Sequence, residues 1–291
     1  MKLKGIKKFR ERIPKFSGKK IIILPIYCFL VFSLSLLFQI YFDLLPSLIP
    51  INGEFKYFLI SFPALGVILM GSLAILLIYQ MWHRRDRLKV KYGRLSYQKI
   101  FLIGLGGVVI IFSIVVNTLI PFYEWNPNFW SQFPFSIFIT PLTSYLSPIS
   151  LFFGYIRFFL GSFLCIVGII QMYRALETFG IDYMTVTYLY FPEESELQNH
   201  KIYSILRHPA YSAVILICLG VMIIQLNIYS ISFFLILYLG MNIHIYFVEE
   251  KELINRFGNS YKEYRKVTPA LFVHIKNWGL FFKFIAGKIS D

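Results

Sequence analysis

Two short polar clusters in an otherwise apolar chain carry side chains that could do chemistry. The first is Arg207-His208-Pro209-x-Tyr211, placed directly before a long hydrophobic run. Proline suits the first position of a helix, where its missing N–H has no intrahelical partner to lose. The free N–H groups of that first turn, the positive end of the helix dipole, Arg207 and His208 would then converge on one small volume, a ready site for a carboxylate. The second cluster is Glu249-Glu250, at the end of the hydrophobic run that follows. Carboxylates beside a membrane are usually paired or used. Plainer readings compete: Arg207 and His208 reaching lipid phosphates, and Glu249, Glu250, Glu252 and Arg256 forming a helix face of charge pairs one turn apart.

The elements that must position these clusters are membrane helices. With 57% hydrophobic and 15% charged residues over 291 positions, the chain has too much apolar surface for one soluble core. Runs at 21–42, 57–82, 100–120 and 151–173 each reach the roughly 20 residues that cross about 30 Å of hydrocarbon. The stretch 210–248 is about twice that length, with Gln225, Asn227 and Tyr229-Ser230 near its middle, and reads as two helices joined by a tight turn. The expected fold is therefore an all-α integral membrane protein of about six transmembrane helices. If the last two are antiparallel and equally long, Glu249-Glu250 must lie beside Arg207 to Tyr211, and the two clusters become one site.

Net charge is +14, but the basic residues sit beside helix ends, which speaks for orientation rather than nucleic acid. The leader 2–20, the segment 83–99 and the tail after Val248 are all basic, whereas loops 43–56 and 121–148 have almost no Lys or Arg. By the positive-inside rule both termini and the polar clusters face the cytosol. The first apolar run is too long for a signal-peptide core.

Along the chain we expect a basic cytosolic leader at 1–20, a three-helix scaffold at 21–150, a catalytic region at 151–270 and a tail at 271–291. Gly104, Gly106 and Gly107 lie inside a span and read as helix-packing contacts rather than a nucleotide loop. Cys28, Cys165 and Cys218 read as small apolar side chains, and the five histidines have no partner at metal-ligand spacing. Gly180 sits where a helix C-cap glycine would end the fourth span. Asn242 and His244, within the sixth, are expected in interhelical hydrogen bonds. Beyond the acids, Leu253, Phe257, Tyr261 and Tyr264 recur every three or four residues, the mark of an amphipathic helix folding back as a cover.

Taken together, Arg207-His208-Pro209-x-Tyr211, then Glu249-Glu250-x-x-Leu253-x-x-x-Phe257-Gly258-x-x-Tyr261-x-x-Tyr264 and Pro269, resemble the paired signature of the isoprenylcysteine carboxyl methyltransferase and phospholipid methyltransferase family. Arg174-Ala175 and Thr178-Phe179-Gly180 are similar to a weaker upstream element of that family. The resemblance implies a cytosolic-face site for S-adenosyl-L-methionine, with a lipid-like substrate entering from the bilayer. It implies cofactor contacts from His208, Pro209, Tyr211, Glu250, Tyr261 and Tyr264, and catalytic roles for Arg207, which would hold a carboxylate, Glu249 and Glu250.

Methyl transfer from a sulfonium to an anion removes opposite charges as the bond forms, so a dry site does not penalise the transition state. A carboxylate acceptor needs alignment alone, whereas an amine must lose a proton, for which His208, Glu249 and Glu250 are the candidates. Two other readings stay open: a membrane sterol or lipid reductase using NADPH, and a non-catalytic lipid-binding scaffold.

Overall fold

A computed structural model describes residues 4–48, 65–119, 150–226 and 228–288, and these contain helices and turns without a strand. The helices are α1 (Ile6–Arg12), α2 (Ile23–Leu48), α3 (Leu65–His83), α4 (Arg85–Tyr92), α5 (Ser96–Leu119), α6 (Ser150–Phe179), α7 (Pro209–Gln225), α8 (Ile228–His244), α9 (Glu250–Phe257), α10 (Asn259–Val267) and α11 (Trp278–Ile285). Five segments are long and apolar enough to cross a bilayer: Gly18–Phe42, Leu65–His83, Arg85–Thr118, Phe152–Phe179 and Phe233–Phe257. Among the described residues, the expected count of about six becomes five full spans and one shorter apolar helix. That helix, α7, has 17 residues, because Pro209 starts it and Leu226, in the left-handed region at φ 44°, ends it. At 1.5 Å per residue it is about 25 Å long, short of the full hydrocarbon thickness. Most of the two expected lysine-poor loops, the start of the second expected span and Asn227 lie outside the described residues.

The chain forms two compact units, one built from α2 to α5 and the other from α6 to α11 together with residues 4–9. In the first, small residues let α2, α3 and α5 approach closely, as expected for this glycine run. A side chain at Gly107 would collide with the Ala74 carbonyl, and one at Gly106 with the Tyr27 hydroxyl, which itself donates to the Leu102 carbonyl at 2.7 Å. Deeper in this unit Ser35 and Ser113 share a hydrogen bond of 2.7 Å, and Gln39 donates to Ser113 at 3.0 Å.

In the second unit α6 and α7 lie antiparallel in a register that can be read residue by residue. Gly161 meets Gly220, and Gly168 meets Ala213, each leaving no room for a Cβ on the facing glycine. The same register sets Arg157 donating to the Gln225 carbonyl at 3.2 Å and Gln171 donating to the Pro209 carbonyl at 2.8 Å. Without a hydrophobic force between helices in lipid, such close small-residue packing and interhelical hydrogen bonds supply the association. By contrast α7 and α8 do not pack backbone to backbone; Ile215, Ile245 and Leu271 form the core between them, with Phe234 and Tyr238 against it. Asn242 donates to Tyr238 within its own helix at 2.7 Å, so its expected interhelical bond gives way to the nearer carbonyl one turn back. α6 ends at Gly180, whose φ of +92° a side chain would resist, and Ile181 then donates to the Lys4 carbonyl at 3.0 Å. The leader is thus tied by its first described residues to the end of α6.

Candidate active site

Three segments converge at one end of the second unit. The turn before α7 supplies Arg207 and His208, and its backbone is held in place because Arg207 N–H donates to the Pro269 carbonyl and His208 N–H to the Ala270 carbonyl. Pro209 takes the first helical position, as its missing N–H favours. The helix carrying α8 continues through one π turn, Ile245–Glu249, before α9 begins. Adjacent residues on a helix point about 100° apart, and at this widened turn Glu249 and Glu250 find different partners within one site. The third segment is α9 and α10. The single amphipathic helix expected here is broken at Gly258, whose φ of +58° turns the chain. The break lets Leu253 and Phe257 on α9 and Tyr261 and Tyr264 on α10 line one wall.

Glu250 is buried in a clasp. Arg207 reaches it through Nε at 3.0 Å and Nη2 at 2.5 Å, Arg265 Nε lies 3.2 Å from its other oxygen, and Tyr261 donates to it at 3.4 Å. Arg207 spends its remaining nitrogen, Nη1, on the carbonyls of Arg265 and Thr268 at the end of α10. An arginine so bound joins α7, α9 and α10, and the carboxylate it holds is Glu250.

Glu249 has a different environment. Tyr188 donates to its Oε1 at 3.1 Å and His208 Nδ1 stands 3.5 Å from the same atom, while Oε2 is buried with no hydrogen-bond partner. His208 Nε2 is also buried and unpartnered, 3.7 Å from Glu250. Burial opposes a charge on His208, but the carboxylate of Glu249 and then that of Glu250 outweigh it and raise its pKa to about 9. His208 is therefore an imidazolium at neutral pH and donates rather than accepts protons. Burial, reinforced by the Glu249 charge, raises Tyr188 far above the ordinary phenol value, and burial raises Tyr203, Tyr261 and Tyr264 as well. All four stay neutral hydrogen-bonding groups.

Beside Glu249 opens a cavity of about 300 Å³. His208, Pro209, Tyr211, Tyr261 and Tyr264 line it together with Arg207 and Glu249, whereas Glu250 does not. The remaining wall comes from the connector between α6 and α7, through Met184, Tyr188, Gln198 and Tyr203. Tyr188 carried no signal in the sequence, being one tyrosine among several in an irregular connector. Arg256 fixes that connector: it bonds Ser195 at 3.0 Å and Glu252 at 2.6 Å and lies over the Tyr188 ring at 5.0 Å. The expected charge pair one helical turn apart is present, and it also closes the wall. His244 is exposed on α8, edge-on to Tyr211 with ring centroids 6.3 Å apart.

Residues 156–260 match the family model for phospholipid methyltransferase. The chain is also 27% identical over 107 residues to proteins of Oryza sativa subsp. indica and subsp. japonica, each described as a probable protein-S-isoprenylcysteine O-methyltransferase. These alignments cover 36% of this chain and 56% of each relative, so the chain spans about half the length of the curated relatives it matches. No solved structure matches significantly. The matched region includes Arg207, His208, Glu249 and Glu250, and it is similar to the membrane methyltransferases whose paired motifs it resembles. With five described segments long and apolar enough to cross a bilayer, the protein is a multi-pass integral membrane protein.

Proposed function

We propose that the cavity beside Glu249 binds S-adenosyl-L-methionine and that the chain, through residues 151–270, transfers its methyl group to the amine of a lipid headgroup at the cytosolic membrane face. The observation that carries this reading is the unpartnered Oε2 of Glu249, a buried acceptor beside a cavity whose cations are already engaged. A buried polar atom without a partner is costly and calls for a donor.

The residues suit the cofactor. Aromatic side chains supply flat walls for an adenine, and His208 Nε2 a donor for a carboxylate. When bound, S-adenosyl-L-methionine supplies an electrophilic methyl group on a positively charged sulfur. For that chemistry this chain would align an acceptor nitrogen beside Glu249 and keep water out. Glu249 takes the proton that an ammonium must lose, through the oxygen that no protein group occupies. His208, being already protonated, keeps the Glu249 carboxylate oriented through its other oxygen, as Tyr188 does. Arg207 and Glu250 are positioning residues: they hold α7 against α9 and α10. Tyr203, Phe257 and Tyr264 exclude water, which strengthens each electrostatic contact.

An amine fits better than a carboxylate because Arg207, expected to hold an acceptor carboxylate, is bound to Glu250 and two carbonyls. The names of the rice relatives favour the prenylcysteine carboxylate, so both acceptors belong in the test. Purified protein would be melted with S-adenosylhomocysteine or NADPH, then assayed for labelled methyl transfer to phosphatidylethanolamine and to a prenylcysteine. Stabilisation by S-adenosylhomocysteine, with transfer to the amine, is the expected result. Transfer to the prenylcysteine alone would overturn the amine, stabilisation by NADPH alone would overturn the cofactor, and no response to either would favour a lipid-binding scaffold.

A further inference from the structure

A second cavity, of about 360 Å³, lies on another face of α7 and shares no lining residue with the first. Val167 and Gln171 of α6, Ser212 and Leu216 of α7, Leu271 of the segment after α10 and Phe281 of α11 are among its walls. Nearly all of this surface is apolar. The exception of interest is Gln171. It is fully buried, its Nε2 donates to the Pro209 carbonyl at 2.8 Å, and its Oε1 has no hydrogen-bond partner. Turning the amide over would set Oε1 against the Pro209 carbonyl oxygen, acceptor against acceptor, so a flip cannot relieve it.

The remaining wall shows where an occupant would come from. α11 turns Phe281 and Phe284 inward, while Trp278 and Phe282, which also line the cavity, are about half exposed, at 53% and 48%. A short helix with a tryptophan at its start and apolar side chains on its outer face, in a membrane protein, belongs at the bilayer boundary. The cavity's rim is therefore built from side chains that face lipid. An ammonium would find no carboxylate in its lining, so the donor that suits Gln171 is neutral.

We propose that this cavity is a binding site for the apolar chain of a bilayer lipid that carries a neutral hydrogen-bond donor, a hydroxyl or an amide N–H, donated to Gln171 Oε1. The site is independent of methyl transfer. Its position nevertheless matters, because Gln171 holds the Pro209 carbonyl at the start of α7, where Pro209 and Tyr211 line the first cavity.

The test uses the full chain in detergent and a photoreactive probe, a long-chain alcohol with a diazirine in its chain, followed by peptide mapping. Crosslinks should fall within 163–171, 212–216 or 271–282. Unlabelled long-chain alcohol should compete about five- to tenfold better than its methyl ether, which lacks the donor. Leu216→Trp, which fills the cavity, should abolish these crosslinks while leaving stabilisation by S-adenosylhomocysteine unchanged. Gln171→Leu should erase the preference for alcohol over ether. Equal competition by alcohol and ether in the unaltered protein would overturn the proposal without recourse to any variant. Crosslinks confined to other segments, or retained in a folded Leu216→Trp protein, would do the same.

Discussion

Both units of this protein bury polar side chains among apolar helices, and they do so in different ways. In the α2–α5 unit the buried groups are neutral: Ser35, Gln39 and Ser113 bond to one another. In the α6–α11 unit charged groups are buried as well as neutral ones, and Arg207, Arg265 and Glu250 form a clasp next to Glu249 and His208. Neutral cross-helix bonds in a membrane stabilise association modestly, while a buried ion pair is worth keeping when it fixes a geometry. Within the second unit the same contrast separates Glu250, which is clasped by arginines, from Glu249, whose Oε2 has no hydrogen-bond partner.

The comparison would be broken most sharply at Glu249. If its Oε2 takes the proton, Glu249→Gln should lower methyl transfer to an amine by about 10²- to 10⁴-fold in protein that remains folded, measured with labelled methyl donor. Equal losses in Glu249→Gln and in a folded Glu250→Gln protein would erase the distinction between them. Arg207→Met should act the other way. It removes the nearest charge partner of buried Glu250 and should destabilise the protein by about 3–5 kcal/mol, read from denaturant unfolding in detergent.

A third expectation concerns pH. The pKa of His208 is raised in the folded protein, to about 9 from an unfolded value of about 6.5. Its contribution to stability is therefore complete below about pH 6.5 and is lost as pH rises through about 9. Melting temperature should fall over that alkaline range, and His208→Gln should flatten the slope; an equal slope in the variant would contradict the pairing with Glu249. The smallest effect belongs to the neutral cluster. Ser113→Ala should cost about 0.6 kcal/mol, and a loss of several kcal/mol there would show that the two units bury polar groups for the same reason.

Much of the second unit was legible before any coordinates. Pro209 and Gly180 marked helix ends because one lacks an N–H and the other tolerates a positive φ, both local properties of the chain. The meeting of Arg207-His208 with Glu249-Glu250 followed from two helices of equal length. The division of labour between adjacent glutamates was not legible, because it depends on the π turn at Ile245–Glu249 and on Arg265, which no spacing rule connects to position 250. Tyr188 and the second cavity were equally hidden, since neither follows from the periodicity of a single element.

The sequence by itself determined that this is a helical membrane protein, that helices end at Gly180 and begin at Pro209, and which polar residues gather at one end of a hairpin. Those properties depend on hydrophobic length and on backbone preferences of single residues. Only the tertiary structure decided which carboxylate is clasped and which is free, that α7 seats its glycine register against α6 rather than α8, and that Gln171 Oε1 lacks a partner beside an apolar cavity. Those depend on distances among side chains far apart in the chain, and in a low-dielectric interior a difference of an ångström separates a satisfied group from one that awaits a ligand.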